Sequence, residues 1–250
     1  MPPDVALQAP SAPRDEPIVA ASTPVRRLLP DPTVLTPSQV ADAYADARRA
    51  RHGGRPWVVV NMIASADGAT TVEGVSGGLG GPGDRGVFSV LRALADVVLV
   101  GASTVRAEHY GPPRKAGQRI AVVSRSGELD WTAELFTSGA GIAVLPEDGP
   151  DVPVPTIRGG RGDVDLAATL RQLDGEVVLA EGGPTLNGQL AAAGLIDELC
   201  MTVAPRLIGG GAKRIVVGPP AAEPTRLELA HLLEEDGFLF CRYVRAALDD

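Results

Sequence analysis

Five short, almost uninterrupted apolar runs constrain the fold of this chain more than any other feature. They span residues 57–63, 97–100, 120–124, 141–145 and 176–180. Apolar runs of this length are typical of strands covered on both faces. Segments with helical spacing of apolar residues lie between them, residues 84–95 being the clearest. The alternation predicts an α/β domain with a mostly parallel sheet and helices on both faces.

The two ends of the chain follow other patterns. Residues 226–231 and 238–244 alternate around Glu235-Asp236-Gly237, which predicts a C-terminal antiparallel hairpin and a mixed sheet of about eight or nine strands. Nine prolines fall within residues 1–37, where we expect an irregular arm. Thr36, Pro37 and Gln39 form a capping-box pattern for a helix ending near Arg51. We therefore divide the chain into an arm plus helix (1–54) and a main domain (55–250).

Composition narrows the class of function. With 23 basic and 31 acidic residues the net charge is −8, which argues against a nucleic-acid partner. Three histidines and two cysteines show no metal-ligand spacing, so no metal site is expected. No apolar run approaches the length of a membrane span and no leader pattern is present. We expect a soluble cytoplasmic protein without a membrane partner.

Polar residues follow several of the predicted strands, where parallel sheets bind ligands. Ser65 and Asp67 follow the first strand; they point into a crevice or form an Asx turn. Gly101 precedes Ser103 and Thr104, whose helix start suits a phosphate or a carboxamide, or is capped by their hydroxyls. On the residues alone both alternatives stay open.

The segment from Glu181 to Thr185 is the sharpest local signal. A buried strand ends in a carboxylate, two glycines allow close approach of a ligand, and the next helix offers its amides to an anion. The alternative is a plain tight turn from strand to helix. Ser124 and Arg125, after another strand, suit the extra phosphate of NADP. The glycine-rich loop 76–85 contains a G-x-G-x-x-G pattern too far from its strand for a dinucleotide fingerprint, so we interpret it as a flexible loop over a pocket.

Six segments in this order resemble one family. They are WVVVNMIASADG (57–68), LRALAD (91–96), VGASTVR (100–106), AEGGPTL (180–186), LIDEL (195–199) and APRLIGG (204–210). The chain resembles, over about residues 55–245, the pyrimidine reductase domain of bacterial riboflavin biosynthesis, in its stand-alone actinobacterial type. The resemblance implies a dihydrofolate-reductase-like fold, so that 55–250 would be the reductase domain.

The resemblance also implies an activity: NADPH-dependent reduction of 5-amino-6-(5-phosphoribosylamino)uracil at C1′ of its sugar. The substrate would thus be a phosphorylated pyrimidine. Members are typically homodimers, which we expect here through the strands near Cys200 and Phe238. Many members carry an Asp-Asp-Pro segment where this chain has Glu108-His109-Tyr110. That departure leaves open reduction of dihydrofolate or another pterin, or a non-catalytic NADPH-binding sensor.

Family positions and residue chemistry together predict two sets of site residues. The cofactor-binding set is Gly101, Thr104, Glu108, Ser124, Arg125, Gly182, Gly183, Pro184, Thr185, Leu186 and Asn187. The substrate-binding set is Ser65, Asp67, Arg85, Arg92 and Glu181. Within it, we expect the carboxylates of Asp67 and Glu181 to converge and to orient the substrate during catalysis, with water relaying the proton.

Overall fold

The apolar runs form the central strands of one sheet in the computed structural model, which describes residues 24–46, 48–220 and 223–246. The strands of this part are β1 (Val25–Leu29), β2 (Thr33–Leu35), β3 (Trp57–Ser65), β4 (Val97–Gly101), β5 (Arg119–Val123), β6 (Gly141–Leu145), β7 (Thr156–Arg158), β8 (Val177–Ala180), β9 (Glu198–Ala204), β10 (Leu227–Glu235) and β11 (Phe238–Arg245). Its helices are α1 (Pro37–Tyr44), α2 (Pro82–Leu94), α3 (Ala102–Glu108), α4 (Glu134–Thr137), α5 (Leu166–Gln172) and α6 (Pro184–Ala192).

The strands lie in the order β2-β1-β10-β11-β9-β3-β8-β4-β5-β6-β7. Every pair from β9 through β7 is parallel, whereas β1, β2, β10 and β11 pair antiparallel. The predicted mixed, mostly parallel sheet with a C-terminal antiparallel hairpin is confirmed. The described sheet has eleven strands rather than eight or nine. The two additional strands come from the N-terminal region, which its many prolines had led us to expect to be irregular.

The core lies on both faces of the sheet, as period-two alternation in a strand requires. Val178 and Ala180 of β8 pack with residues of α5 and α6. Val177 and Leu179 of the same strand pack on the opposite face with residues of α1 and α2. The prediction of helices on both faces is therefore confirmed.

The expectation of an irregular arm is wrong for its described part. β1 pairs with β10 and with β2, and so extends the sheet; residues 1–23 lie outside the described residues. The capping box at Thr36 and Gln39 is present. The helix ends at Tyr44, before Arg51, and Asp46 and Arg49 beyond it take part in ion pairs. The division at residue 54 stays a prediction.

The expected dimer strands are internal to the sheet. β9, which holds Cys200, lies between β11 and β3, and β11, which begins at Phe238, lies between β10 and β9. Neither has a free hydrogen-bonding edge, so pairing with a second copy through these edges is excluded. The edges of the described sheet are β2 and β7.

The described residues contain no helix long and apolar enough to cross a membrane.

A buried ion network joins the N-terminal region to the sheet. Glu198, which is fully buried, accepts hydrogen bonds from Arg49 and Arg242, and Arg242 also donates to Asp46. Burial opposes ionisation of Glu198, but the hydrogen bonds and charges of the two arginines outweigh it and lower its pKa from 4.5 to about 2. Glu198 therefore stabilises the fold as an anion.

We expect Glu198→Gln to lower the free energy of unfolding by about 3–5 kcal/mol, because it leaves buried arginines without their counter-charge. Arg26→Gln is the control, since it breaks the exposed Arg26–Glu234 pair and should cost less than about 1 kcal/mol. The folded pKa of Glu198 is depressed, so its contribution is complete above about 4.5 and is lost as the pH falls toward 2. Denaturant unfolding at several pH values measures this; equal losses in the two variants would contradict it.

Candidate active site

A cleft of about 1180 Å³ opens at the carboxyl ends of the central strands. Its walls come from the end of β3 and from the segments that follow β4, β5 and β8. These ends meet because the four strands are parallel neighbours in the sheet. The volume exceeds that of an ordinary drug-sized pocket, which is roughly 300–1,000 Å³.

Three glycines bring two backbone segments together at the centre of the cleft. The Gly101 amide donates to the Gly182 carbonyl at 2.7 Å, which ties the end of β4 to the turn after β8. Gly182 has a φ of +86° and is joined to Gly183 by a cis peptide bond. A Cβ at Gly183 would lie 2.9 Å from Thr104 Oγ1. Glycine at position 183 therefore lets the turn after β8 pack closely against the start of α3.

The start of α6 faces the cleft without a side-chain cap. Gly183 is the N-cap and Pro184 stands in the first turn. The amides of Thr185 and Leu186 precede the first intrahelical bond, from the Asn187 amide to the Gly183 carbonyl. Such amides, at the positive end of a helix, suit an anion.

Asn187 adds an unused acceptor to this region. Its side chain is fully buried, and its Nδ2 donates to the Ile215 carbonyl at 2.9 Å. Its Oδ1 has no hydrogen-bond partner among the described residues. Asn187 is not among the residues that line the cleft, so a contact between its side chain and a cofactor stays a prediction.

The segments after β4 and β5 form the next part of the wall. The N-cap of α3 is Gly101, with no side-chain cap bond, so neither Ser103 nor Thr104 is the residue that caps this helix. Both instead line the cleft. Ser124 accepts from the Gly127 amide and shapes the turn that places exposed Arg125 on the rim.

Glu181 forms the electrostatic centre of the other half of the cleft. Arg92 donates to both of its carboxylate oxygens, each at 2.7 Å, and the Tyr110 hydroxyl donates to Oε2 at 2.7 Å. Burial disfavours the Arg92 cation, but the hydrogen bonds and charge of Glu181 outweigh it and raise the pKa of Arg92. Burial and the Glu181 charge raise the pKa of Tyr110 well above 10. All three side chains are thus held in defined orientations.

One face of α2 lines this half. Asp84, Phe88 and Arg92 all border the cleft, and their i, i+4, i+8 spacing places them in one row along the helix. The Arg92 guanidinium lies over the Phe88 ring at 4.6 Å. Arg85 is exposed and is not among the cleft residues, because its position lies off this row.

Asp67 and Ser65 lie outside the cleft lining. The Asp67 carboxylate accepts from Ser65 Oγ and from the amides of Ile208 and Gly209, the last at 2.7 Å. These hydrogen bonds, that from Ser65 first, lower its pKa to about 2. The structure therefore does not bring Asp67 together with Glu181; Asp67 anchors the loop after β9.

The glycine-rich loop is anchored as well. Glu108 accepts from the Ser76 amide and hydroxyl, both at 2.9 Å, Arg206 donates to the Gly78 carbonyl, and Leu79 is fully buried. Glu108 borders the cleft, but its carboxylate is already engaged in holding this loop against α3.

Among the cleft residues that sequence reasoning did not single out are Asp84, Phe88 and Tyr110. The spacing of Asp84 and Phe88 from Arg92 was a usable signal, since a helix that places Arg92 at a ligand places them there too. Nothing local marks Tyr110, which follows the left-handed residue His109 at the end of α3.

Comparison with known proteins places these features in a family. The family model for the RibD C-terminal domain matches residues 56–237. The 2,5-diamino-6-ribosylamino-4(3H)-pyrimidinone 5′-phosphate reductase of Methanothermobacter thermautotrophicus is 28% identical over an alignment of 206 residues that covers 73% of this chain and 95% of that protein. The riboflavin biosynthesis protein RibD of Escherichia coli is 28% identical over 194 residues, 66% of this chain and 53% of that protein. The chain thus spans about half of RibD.

A solved structure supports the architecture. A pyrimidine reductase-like protein from Corynebacterium diphtheriae superposes with a TM-score of 0.69 at 24% identity, covering 85% of this chain and 100% of that one. The likeness concerns the fold. Because the family model covers the sheet from β3 to the end of β10, and with it every wall of the cleft, the chain belongs to the RibD C-terminal domain family, a family of reductases.

Proposed function

We propose that this protein is an NADPH-dependent reductase of riboflavin biosynthesis that reduces 5-amino-6-(5-phosphoribosylamino)uracil to its ribitylamino product. Family membership supports the reaction class, and the Methanothermobacter relative, matched over nearly its whole length, is named for reduction of a closely similar phosphorylated ribosylaminopyrimidine. The observation that carries the proposal is the Glu181 carboxylate. It is held by Arg92 and directly precedes the turn formed by Gly182 and Gly183.

The cofactor half of the cleft fits a nicotinamide dinucleotide. Gly101 and Gly183 border the cleft without side chains, and the first amides of α6, which no side chain caps, suit a pyrophosphate. A bound nicotinamide supplies the hydride that adds to C1′ of the substrate's sugar. Arg125, with its planar fork of donors, suits the additional phosphate of NADPH.

The substrate half fits a polar heterocycle. The Glu181 carboxylate has acceptor capacity beyond its three hydrogen bonds and can receive a ring N–H of the pyrimidine. Arg92 and Tyr110 hold that carboxylate in one orientation. Met62, Phe88 and Leu186 provide apolar wall, against which the ring of the substrate or of the nicotinamide can pack.

Turnover decides the function and separates it from the alternatives. We expect steady oxidation of NADPH with the phosphoribosylaminouracil, weaker oxidation of NADH, and none with dihydrofolate. The diaminopyrimidinone analogue, assayed in parallel, shows which pyrimidine is preferred. Arg125→Ala should weaken NADPH binding, measured by calorimetry, and leave NADH binding unchanged. Turnover of dihydrofolate alone, or binding without any turnover, would overturn the proposal.

Glu181→Gln should lower kcat/KM roughly 30- to 1,000-fold, because it removes a charged hydrogen bond inside the cleft and the counter-charge of Arg92. Asp67→Asn is the matched carboxylate-to-amide change outside the cleft lining. We expect it to cost no more than roughly tenfold, through the loop that it anchors. NADPH affinity should stay within a few-fold in both. Equal losses of kcat/KM in the two variants would indicate that Asp67 acts directly on the substrate.

We further propose that the protein is a homodimer, as the resemblance implies. Since β9 and β11 have no free edge, the contact has to use another surface. Val34 on the edge strand β2 is 59% exposed, which makes this strand a candidate. Light scattering at micromolar concentration should give twice the chain mass of 25.8 kDa; a monomer mass would reject the proposal.

A further inference from the structure

Asp84 borders the cleft, yet no step described so far uses it. It lies in the first turn of α2, in the same row as Phe88 and Arg92. Eight residues of helix separate it from Arg92, which is about 12 Å along the axis. The row therefore places a carboxyl group at one end of the substrate half and the Arg92–Glu181 pair at the other.

Three other carboxyl groups border the cleft, and each is engaged. Glu181 is ion-paired with Arg92, Glu108 accepts from Ser76, and Asp163 accepts from Gln189 and from an amide. Donors from the protein therefore already occupy at least one oxygen of each of these three carboxyl groups.

Asp84 differs from them in its surroundings. It has no ion-pair partner among the described residues; Thr202, on β9, hydrogen-bonds to it, and the charge of Arg85 acts on it. Burial raises its pKa above 3.8 against these two influences. Glu235 on β10 faces the same helical turn, holding the Gly83 amide, and burial raises its pKa too. Burial thus opposes ionisation of both carboxyl groups at the start of α2.

The proposed reduction needs one proton besides the hydride. In the substrate, C1′ is bonded to the sugar ring oxygen O4′ and to the amino nitrogen. When the C1′–O4′ bond breaks, its electron pair goes to O4′, which takes up a proton, while the nitrogen lone pair forms a C1′=N⁺ iminium. Hydride addition to C1′ then returns that electron pair to nitrogen. The balance is one hydride and one proton per product.

We propose that Asp84 is the general acid that protonates O4′ as the sugar ring opens. This inference rests on the proposed function. With the pyrimidine held at Glu181, the sugar extends along the α2 row toward Asp84. The carboxylate formed by the transfer lies in the first turn of the helix, where the helix dipole stabilises an anion, and it regains its proton from water.

The test compares Asp84→Asn, which keeps the shape and removes the acid, with Asp84→Glu, which keeps the acid. We expect Asp84→Asn to lower kcat about 10²- to 10⁴-fold with little change in KM or NADPH affinity, and Asp84→Glu to restore part of it. The wild-type kcat/KM should fall as the pH rises through the Asp84 pKa, and this decrease should be absent in Asp84→Asn. His109, exposed on the rim, is the competing proton source. In His109→Asn, kcat/KM should still fall with rising pH as it does in the wild type.

A second measurement does not depend on turnover. Carboxyl carbon NMR of the ligand-free protein, with the Asp84 resonance assigned by its absence in Asp84→Asn, should show a titration midpoint above 3.8. Glu235→Gln controls for the neighbouring carboxyl. A titration midpoint at or below 3.8 would overturn the proposal. So would a loss of kcat of less than tenfold in a folded Asp84→Asn, or a decrease of kcat/KM with pH that disappears in His109→Asn. Absence of wild-type turnover would instead refute the proposed function, which keeps the two failures distinct.

Discussion

The structure depends on β8, a strand of four residues buried on both faces and paired on both edges. It pairs in parallel with β3 on one side and with β4 on the other. Its side chains Val177 to Ala180 are at most 8% exposed and reach both layers of helices. A strand so enclosed has to be apolar throughout and has to end where the sheet ends. Its last residue is therefore followed at once by Glu181 and the two glycines, at the middle of the cleft.

The charge of Glu181 at this central position requires compensation, because a buried carboxylate without a partner is costly. Arg92 and Tyr110 provide it. They come from α2 and from the end of α3, so the requirement also determines how both helices approach the sheet. Helix α2 meets two demands: Val87 and Leu91 pack in the core, while the row from Asp84 to Arg92 borders the cleft. A sheet–helix interface and a ligand site thus share one helix.

The half of the cleft around the two glycines after Glu181 was the most predictable part of the candidate site. Gly101, Thr104, Ser124 and the turn after Glu181 each follow an apolar strand, and the carboxyl ends of neighbouring parallel strands meet at one edge. Local pattern was enough to place them at that edge. It failed for Asp67, which also follows a strand, because its carboxylate is taken by the amides of Ile208 and Gly209. Those partners lie more than a hundred residues away, and no local pattern reports them.

The sequence by itself determined the alternation of strands and helices, the hairpin at its end, the capping box of α1 and the carboxylate–glycine turn. Each of these follows from the periodicity of side chains or from the backbone freedom of glycine, which are local properties. Only the tertiary structure decided that β1 and β2 join the sheet, that Arg92 and Tyr110 share Glu181, and that Asp84 borders the cleft while Arg85 does not. Those outcomes depend on pairing between distant segments, where burial and charge compensation outweigh local preference.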